Sequence, residues 1–123
     1  MSEKDSTWKL YACVRQDLNM NKGKLASQAG HAFLESFLAA GATRQSAYHA
    51  DGLGTKICLA IRNEMQLHLL YEQAKEAGLP CTLIEDSGRN TCFNGVPTCT
   101  AVGIGPILAV EAPFLRKFKL YTQ

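Results

Sequence analysis

Long apolar runs are missing from this 123-residue sequence, and so are segments rich in proline, glycine or serine. A membrane-spanning helix needs about 20 consecutive apolar residues, and the polar residues 1–8 lack the apolar core of a signal peptide. Because no linker or repeat divides the chain, we expect a polar lead over residues 1–8 and one domain over residues 9–121. The sequence therefore predicts a cytoplasmic protein with no membrane partner.

Cysteine pairs of the Cys-x-x-Cys type are also missing, which removes the local spacing typical of zinc and redox sites. Several cysteines lie in apolar, strand-like stretches, where cysteine packs as a small hydrophobic residue. We therefore predict reduced structural thiols, no metal site and no organic cofactor. The five cysteines are Cys13, Cys58, Cys81, Cys92 and Cys99.

A strong excess of one charge is missing as well, since the formal net charge is +2. Basic side chains nevertheless cluster near the start and near the end of the chain, whereas the middle is acidic. One basic surface would suit a phosphate-rich ligand, although two solvated runs of charge explain the pattern equally well. The basic clusters are Arg15, Lys22 and Lys24, and then Arg116, Lys117 and Lys119.

Apolar residues recur with the periods of strands and helices in alternation. Asn21 is a suitable N-cap for the first helix, and Asn63 followed by Gln66 predicts a capping box for a later one. The apolar stripe of the first helix consists of Leu25, Ala29, Ala32, Phe33, Phe37 and Ala40. The predicted strands are 8–15, 55–61, 81–85 and 98–104, the predicted helices are 22–40, 43–50 and 64–77, and a short helix after 106 precedes a final strand at 118–121.

This order of elements predicts an α/β fold, a three-layer sandwich in which helices cover both faces of a mixed, mostly parallel sheet of four or five strands. Ligands of such sheets bind beyond the carboxyl ends of the strands. Arg15 and Asp17 follow the first predicted strand, and Asp86 follows the third. We therefore expect these three residues beside one crevice.

Four polar residues share one face of the first helix because they are three or four positions apart, namely Lys24, Gln28, His31 and Glu35. Most polar helix faces are solvated surface. A lysine in the first turn, however, opposes the helix dipole unless an anion binds there. The Lys22–Gly23–Lys24 run therefore suits a phosphate.

The loop after the third predicted strand begins with Asp86 and continues to a glycine, Gly88. A carboxylate at the end of a strand can act as a general base or orient a water molecule. It can also cap the turn that a glycine allows. The residue pattern leaves both interpretations open.

The chain resembles the class II peptidyl-tRNA hydrolases, whose helix signature is Arg-x-Asp-Leu-x-Met-x-x-Gly-Lys-x-x-x-Gln-x-x-His-Ala. A later Asp-Ala-Gly-x-Thr loop of that family corresponds here to Asp86–Ser87–Gly88–Arg89–Asn90, so that Asn90 replaces a threonine. The C-terminal segment also departs from the family pattern. The signature is matched by Arg15, Asp17, Leu18, Met20, Gly23, Lys24, Gln28, His31 and Ala32, and a Gly-x-x-Thr element by Gly95 and Thr98.

The resemblance implies hydrolysis of the ester between a peptide and the 3′-terminal ribose of tRNA, without a metal or cofactor, by a homodimer. We expect Asp86 to activate or orient water and Lys24 to stabilise the oxyanion or the nearby terminal phosphate. His31 would hydrogen-bond within the site and could shuttle a proton. Asn90 and Thr98 would orient substrate or water. The residues expected to bind substrate or tRNA are Arg15, Asp17, Lys22, Gln28, Arg89, Arg116 and Lys117.

Two other functions stay open. Asn90 in place of the threonine is compatible with a tRNA- or RNA-binding module that has lost catalysis. A hydrolase of another ester or amide would use the same groups. Binding of tRNA without release of tRNA from peptidyl-tRNA would favour the first alternative over the hydrolase. Turnover of a small ester that has no tRNA body would favour the second.

Overall fold

A computed structural model describes residues 6–50, 52–88 and 93–122. Most predicted elements are present, with ends that differ by three residues or fewer, and none of the helices in these ranges is long and apolar enough to cross a membrane. Asn21 and Asn63 cap their helices as predicted, each accepting a backbone N–H with its side chain. The elements are β1 (Lys9–Arg15), α1 (Lys22–Ala39), α2 (Ala42–His49), β2 (Thr55–Ile61), α3 (Glu64–Glu76), β3 (Cys81–Asp86), β4 (Thr98–Ile107) and two 3-10 helices, Ala109–Glu111 and Pro113–Lys117.

The four strands form one sheet in the order β2-β1-β4-β3. The α/β sandwich is confirmed, but the pairing is less parallel than predicted, because β1 with β2 is the parallel pair and β4 is antiparallel to both of its neighbours. The reason is that only residues 87–97 connect β3 to β4, and a crossover to a parallel strand needs about a dozen residues or more, so that β4 returns in the opposite direction. The strands β1, β2 and β3 still run in the same direction. Their carboxyl ends and the start of β4 therefore lie at the same end of the sheet.

The strand predicted at 118–121 is reduced to an isolated antiparallel bridge between Leu59 and Leu120. Two backbone hydrogen bonds of 2.9 Å, from Ala60 to Lys119 and from Tyr121 to Cys58, hold this segment beside β2. The Leu120 side chain is 65% exposed. The segment therefore buries too little apolar surface to extend the pairing into a fifth strand.

The larger of the two apolar clusters lies between α3 and the sheet. Leu67, Leu70 and Ala74 of α3 pack there against Ile61 and Val102. These five side chains are at most 1% exposed. This face therefore behaves as the period of α3 predicted, with apolar residues inward and charged residues outward.

The opposite face, under α1, differs from the prediction. The buried residues of α1 are Gln28, Ala32 and Ser36, whereas the predicted stripe flanks them and is partly buried apart from Ala32. The helix approaches β4 closely, since a Cβ atom on Gly103 would overlap the Ala32 carbonyl oxygen. The Ser36 hydroxyl donates to the Gly105 carbonyl at 2.6 Å. Close packing requires small side chains here and carries Gln28 into the interior.

Candidate active site

An ion pair between Lys24 and Asp86 joins the start of α1 to the end of β3. The Asn21 cap accepts the Lys24 backbone N–H at 2.9 Å and defines the first turn, from which the lysine side chain extends. Its Nζ lies 2.7 Å from Oδ1 of Asp86, and the two side chains are 11% and 13% exposed. Residues 62 positions apart in the chain therefore form one charged centre.

Asp86 both caps a turn and pairs with the lysine. Its Oδ2 accepts the backbone N–H of Gly88 at 2.9 Å. Gly88 has φ +75°, and a Cβ atom there would overlap the backbone of Val96, so a glycine is required. The hydrogen bond from Lys24, assisted by the Gly88 N–H and the charge of His31, holds the pKa of Asp86 below its ordinary value. Asp86 is therefore ionised at neutral pH.

A buried polar chain supports this carboxylate from behind. The Gln28 side chain is 2% exposed, and its Nε2 donates to Oδ1 of Asp86 at 3.4 Å. Its Oε1 accepts a short hydrogen bond from the hydroxyl of Thr100, which is fully buried. Thr100 was not predicted as a site residue. The one available signal was a hydroxyl within the otherwise apolar run of β4, which is also compatible with an ordinary strand threonine.

The other predicted catalytic residues lie around this centre. Thr98 is the cross-strand partner of Asp86 in the sheet, and its hydroxyl donates to the Val96 carbonyl at 2.8 Å. His31 is exposed and lines a cavity of about 280 Å³ together with Glu35 and Glu85. The predicted residues Asn90 and Arg89 lie outside the described residues.

An aromatic ring beside the lysine was not predicted. Lys24 Nζ lies 5.5 Å from the centroid of the Phe93 ring. The electron-rich face of an aromatic ring attracts a cation. Phe93 therefore stabilises the Lys24 ammonium group without a second carboxylate. Phe93 comes from the loop before β4, where no periodic pattern could have placed it.

The residues predicted to bind tRNA are not all available. The Arg15 guanidinium donates to both carboxylate oxygens of Asp17 at 3.1 and 2.8 Å, and to the Cys99 carbonyl at 3.0 Å. Its side chain is 11% exposed. Lys22, by contrast, is an exposed residue at the start of α1. Arg15 therefore joins the end of β1 to the start of β4, and its charge is paired with Asp17. Lys22 remains accessible to an anion.

A second, basic cleft of about 480 Å³ lies at the carboxyl ends of β1 and β2. Lys117, a predicted residue, lines it, and so does Arg62, which the sequence analysis did not identify. Arg116 is exposed in the same 3-10 helix as Lys117. The residues that line the cleft include Gln16, Asp17, Arg62, Gln66, Lys117 and Lys119.

Comparisons with known proteins identify the same family as the signature of the first helix. A model of the family described as "Peptidyl-tRNA hydrolase PTH2" matches residues 8–121. Proteins named peptidyl-tRNA hydrolase from Methanococcus maripaludis strain C6 and Methanocaldococcus jannaschii are 42% and 38% identical to this chain, over 76% and 80% of its length and 80% and 85% of theirs. One from Sulfolobus acidocaldarius is 35% identical, over 80% of this chain and 88% of its own. The chain belongs to the peptidyl-tRNA hydrolase family PTH2.

Proposed function

We propose that this protein hydrolyses the ester that joins the carboxyl end of a peptide to the 3′-terminal ribose of tRNA. The observation that carries the proposal is the Lys24–Asp86 pair, an ionised carboxylate and an ammonium group on the sheet edge where α/β proteins bind ligands. Family membership supports the substrate class, because the relatives are named peptidyl-tRNA hydrolases.

The reaction needs a water oxygen to form a bond with the ester carbonyl carbon, and the bond from that carbon to the ribose oxygen then breaks. The low pKa of Asp86 makes this carboxylate a weak base. Its main role is therefore to orient the attacking water and to hold Lys24. The Lys24 ammonium group stabilises the negative charge that develops on the carbonyl oxygen. The proton from the water finally passes to the ribose oxygen.

The surrounding residues have positioning roles in this proposal. Gln28 and Thr100 hold the Asp86 carboxylate in place through their hydrogen bonds. His31, exposed at the edge of the site, accepts the proton of the attacking water and donates it to the leaving ribose oxygen. Thr98 and Asn90 orient the substrate or the water.

Binding of tRNA is assigned to basic side chains that contact its backbone rather than its bases. Lys22 is adjacent to the candidate active site in α1, and Lys117 lies in the basic cleft with Arg62. Arg89 and Arg116 are also proposed to bind tRNA. Arg15 and Asp17 support it indirectly, because their side chains are bonded to each other.

We also propose that the protein is a homodimer that works in the cytoplasm. The family resemblance suggested the dimer, and α1 carries two exposed apolar side chains that self-association would cover, Leu34 at 54% and Leu38 at 59% exposure. Sedimentation analysis of the wild-type protein and of Leu34→Glu tests this. A monomeric wild-type protein at micromolar concentration would contradict it.

The experiment that tests the function is incubation of the purified full chain with peptidyl-tRNA, followed by separation of free and acylated tRNA. We expect release of tRNA and peptide. Salt-sensitive tRNA binding without release would instead favour the non-catalytic module. Equal turnover of a small ester and of peptidyl-tRNA would favour a hydrolase that does not recognise the tRNA body.

A further inference from the structure

Three side chains of different metal-ligating types meet on the α3 face of the sheet, opposite the candidate active site. Glu64 and His68 occupy the first turns of α3, and Cys99 belongs to β4. A carboxylate oxygen, an imidazole nitrogen and the thiol sulfur all lie within 4.8 Å of one another. The helix spacing of four residues aligns Glu64 with His68, at 3.7 Å, and packing of α3 on the sheet brings Cys99 to them.

A further carboxylate lies near the cysteine, on the neighbouring strand. Glu85 of β3 is the cross-strand partner of Cys99, and its Oε2 lies 4.0 Å from the cysteine Sγ. Glu85 precedes Asp86, and adjacent residues of a strand point to opposite faces of the sheet. One face of this strand end therefore serves the candidate active site and the other serves the cluster.

The donor set matches a borderline-soft divalent ion. Thiolate, imidazole and carboxylate together are the ligands of Zn²⁺, which takes four of them tetrahedrally at about 2.0–2.3 Å, so that neighbouring ligand atoms are about 3.3–3.8 Å apart. The ligand atoms of Glu64, His68 and Cys99 lie within 4.8 Å of one another, and those of Glu64 and His68 are 3.7 Å apart, so only a small adjustment is required. The side chains of His68 and Glu64 are 46% and 56% exposed. Rotation of these exposed side chains can therefore close the remaining gap.

The charge around the cluster also suits a cation. Glu64 and Glu85 contribute two carboxylates, and the thiol contributes a third negative charge when a metal displaces its proton. The guanidinium of Arg15 is the nearby cation, hydrogen-bonded to the Cys99 carbonyl. Its charge is balanced by Asp17 at 2.8 Å. The cluster thus keeps an excess of negative charge.

We propose that Glu64, His68 and Cys99 form a binding site for Zn²⁺ or a similar divalent transition-metal ion, with the fourth position taken by Glu85 or by water. The ion would tie the start of α3 to the start of β4. It takes no part in the ester hydrolysis proposed above, and the two proposals stand independently because they use different side chains on opposite faces of the sheet.

Titration of the reduced full chain with Co²⁺, a spectroscopic substitute for Zn²⁺, tests the site. We expect a thiolate-to-cobalt charge-transfer band that saturates at one equivalent and is displaced by Zn²⁺. The variants Cys99→Ser and His68→Ala should weaken Zn²⁺ binding by about 100-fold. The matched controls Cys58→Ser and His49→Ala, which replace the same residue types elsewhere, should bind as the wild-type protein does.

A missing thiolate band, or a band that survives in Cys99→Ser, would overturn the proposal. An equal loss of binding in the two control variants would also overturn it. Should Cys99→Ser fold poorly, His68→Gln and Glu64→Gln change only exposed helix positions. Zn²⁺ should then raise the Tm of the wild-type protein and leave that of His68→Gln unchanged. Equal shifts in Tm would contradict the site.

Discussion

Two ion pairs of this protein have similar geometry and different surroundings. Lys24 lies 2.7 Å from Asp86, and Arg44 lies 2.8 Å from Glu111. In each pair the hydrogen bond from the cation lowers the pKa of the carboxyl group. A perturbed pKa alone therefore does not separate a functional pair from a structural one.

The other hydrogen bonds of the charged groups distinguish the two ion pairs. Arg44 binds both oxygens of Glu111 and also donates to the Pro106 carbonyl at 3.0 Å. Glu111 in turn accepts the backbone N–H of Leu108 at 2.9 Å and closes the 3-10 turn after β4. This pair uses its bonding capacity within the fold. The role of the Arg44–Glu111 pair is therefore structural.

In the Lys24–Asp86 pair the carboxylate is equally well bonded, but the ammonium group is not. An ammonium group has three N–H donors, and among the described residues one of those from Lys24 bonds to Asp86. The other two have no hydrogen-bond partner in the described part of the chain, and we propose that one of them binds a substrate oxygen. The contrast indicates that incomplete bonding in a buried setting, rather than the pKa shift, distinguishes the candidate site.

The sharpest test of this comparison is removal of each partner at the candidate site. Lys24→Ala and Asp86→Asn should each lower kcat for peptidyl-tRNA by about 100-fold or more, because the oxyanion and the water lose their partners. Rates of tRNA release under saturating substrate measure this. Lys75→Ala, which breaks an exposed lysine–glutamate pair on α3, is the matched control. Full activity in both site variants would refute the assignment.

The supporting hydrogen bonds should matter next. Thr100→Val removes the donor to Gln28 and should cost about 1–3 kcal/mol of unfolding free energy, because a buried amide oxygen loses its partner. We expect kcat to fall about tenfold with KM unchanged, since Asp86 is less well held. Thr100→Ser restores the hydroxyl and should recover kcat. A Ser variant as slow as the Val variant would show that packing, and not positioning, was lost.

The structural pair should show the reverse behaviour. Glu111→Gln should lower the unfolding free energy by about 1 kcal/mol, because this partly buried pair also holds a backbone turn. Its kcat should stay at the wild-type value. Urea denaturation and the tRNA-release assay measure the two quantities on one preparation. A loss of kcat without a loss of stability would contradict the division between the pairs.

The pH dependence of stability follows from the lowered pKa of Glu111, whose ordinary value is 4.5. Its stabilising contribution is complete above that ordinary value and is lost as the pH falls towards the lower folded-state value. The wild-type urea midpoint should therefore decline more steeply than that of Glu111→Gln between about pH 5 and about pH 3. Parallel curves would show that the pair does not stabilise the fold.

The smallest expected effect lies in the basic cleft. Arg62→Ala or Lys117→Ala should raise KM for peptidyl-tRNA about two- to fivefold at low salt, because one phosphate contact is lost, while kcat stays constant. The effect should shrink as salt increases. Lys56→Ala, a basic residue that lines the apolar cavity under α1, serves as the control. A salt-independent change in kcat would show that the cleft is not a tRNA-binding surface.

The sequence by itself determined the elements and the family. Hydrophobic periodicity and the caps at Asn21 and Asn63 predicted three helices and four strands, because these signals depend on neighbours within one or two turns. The spacing of Lys24, Gln28 and His31 also predicted a shared helix face. Their residue types identified the family that the matches over residues 8–121 confirm.

Only the tertiary structure decided which residues meet. The insertion of β4 between β1 and β3 places Thr100 behind Gln28, and it places Cys99 beside His68. The close approach of α1 to Gly103 buries a glutamine that the helix pattern placed on a polar face. Strand order, register and helix-to-sheet distance are properties of long-range packing. They leave no local period in the sequence, and for that reason the polar support of Asp86 and the mixed-ligand cluster could not be predicted from it.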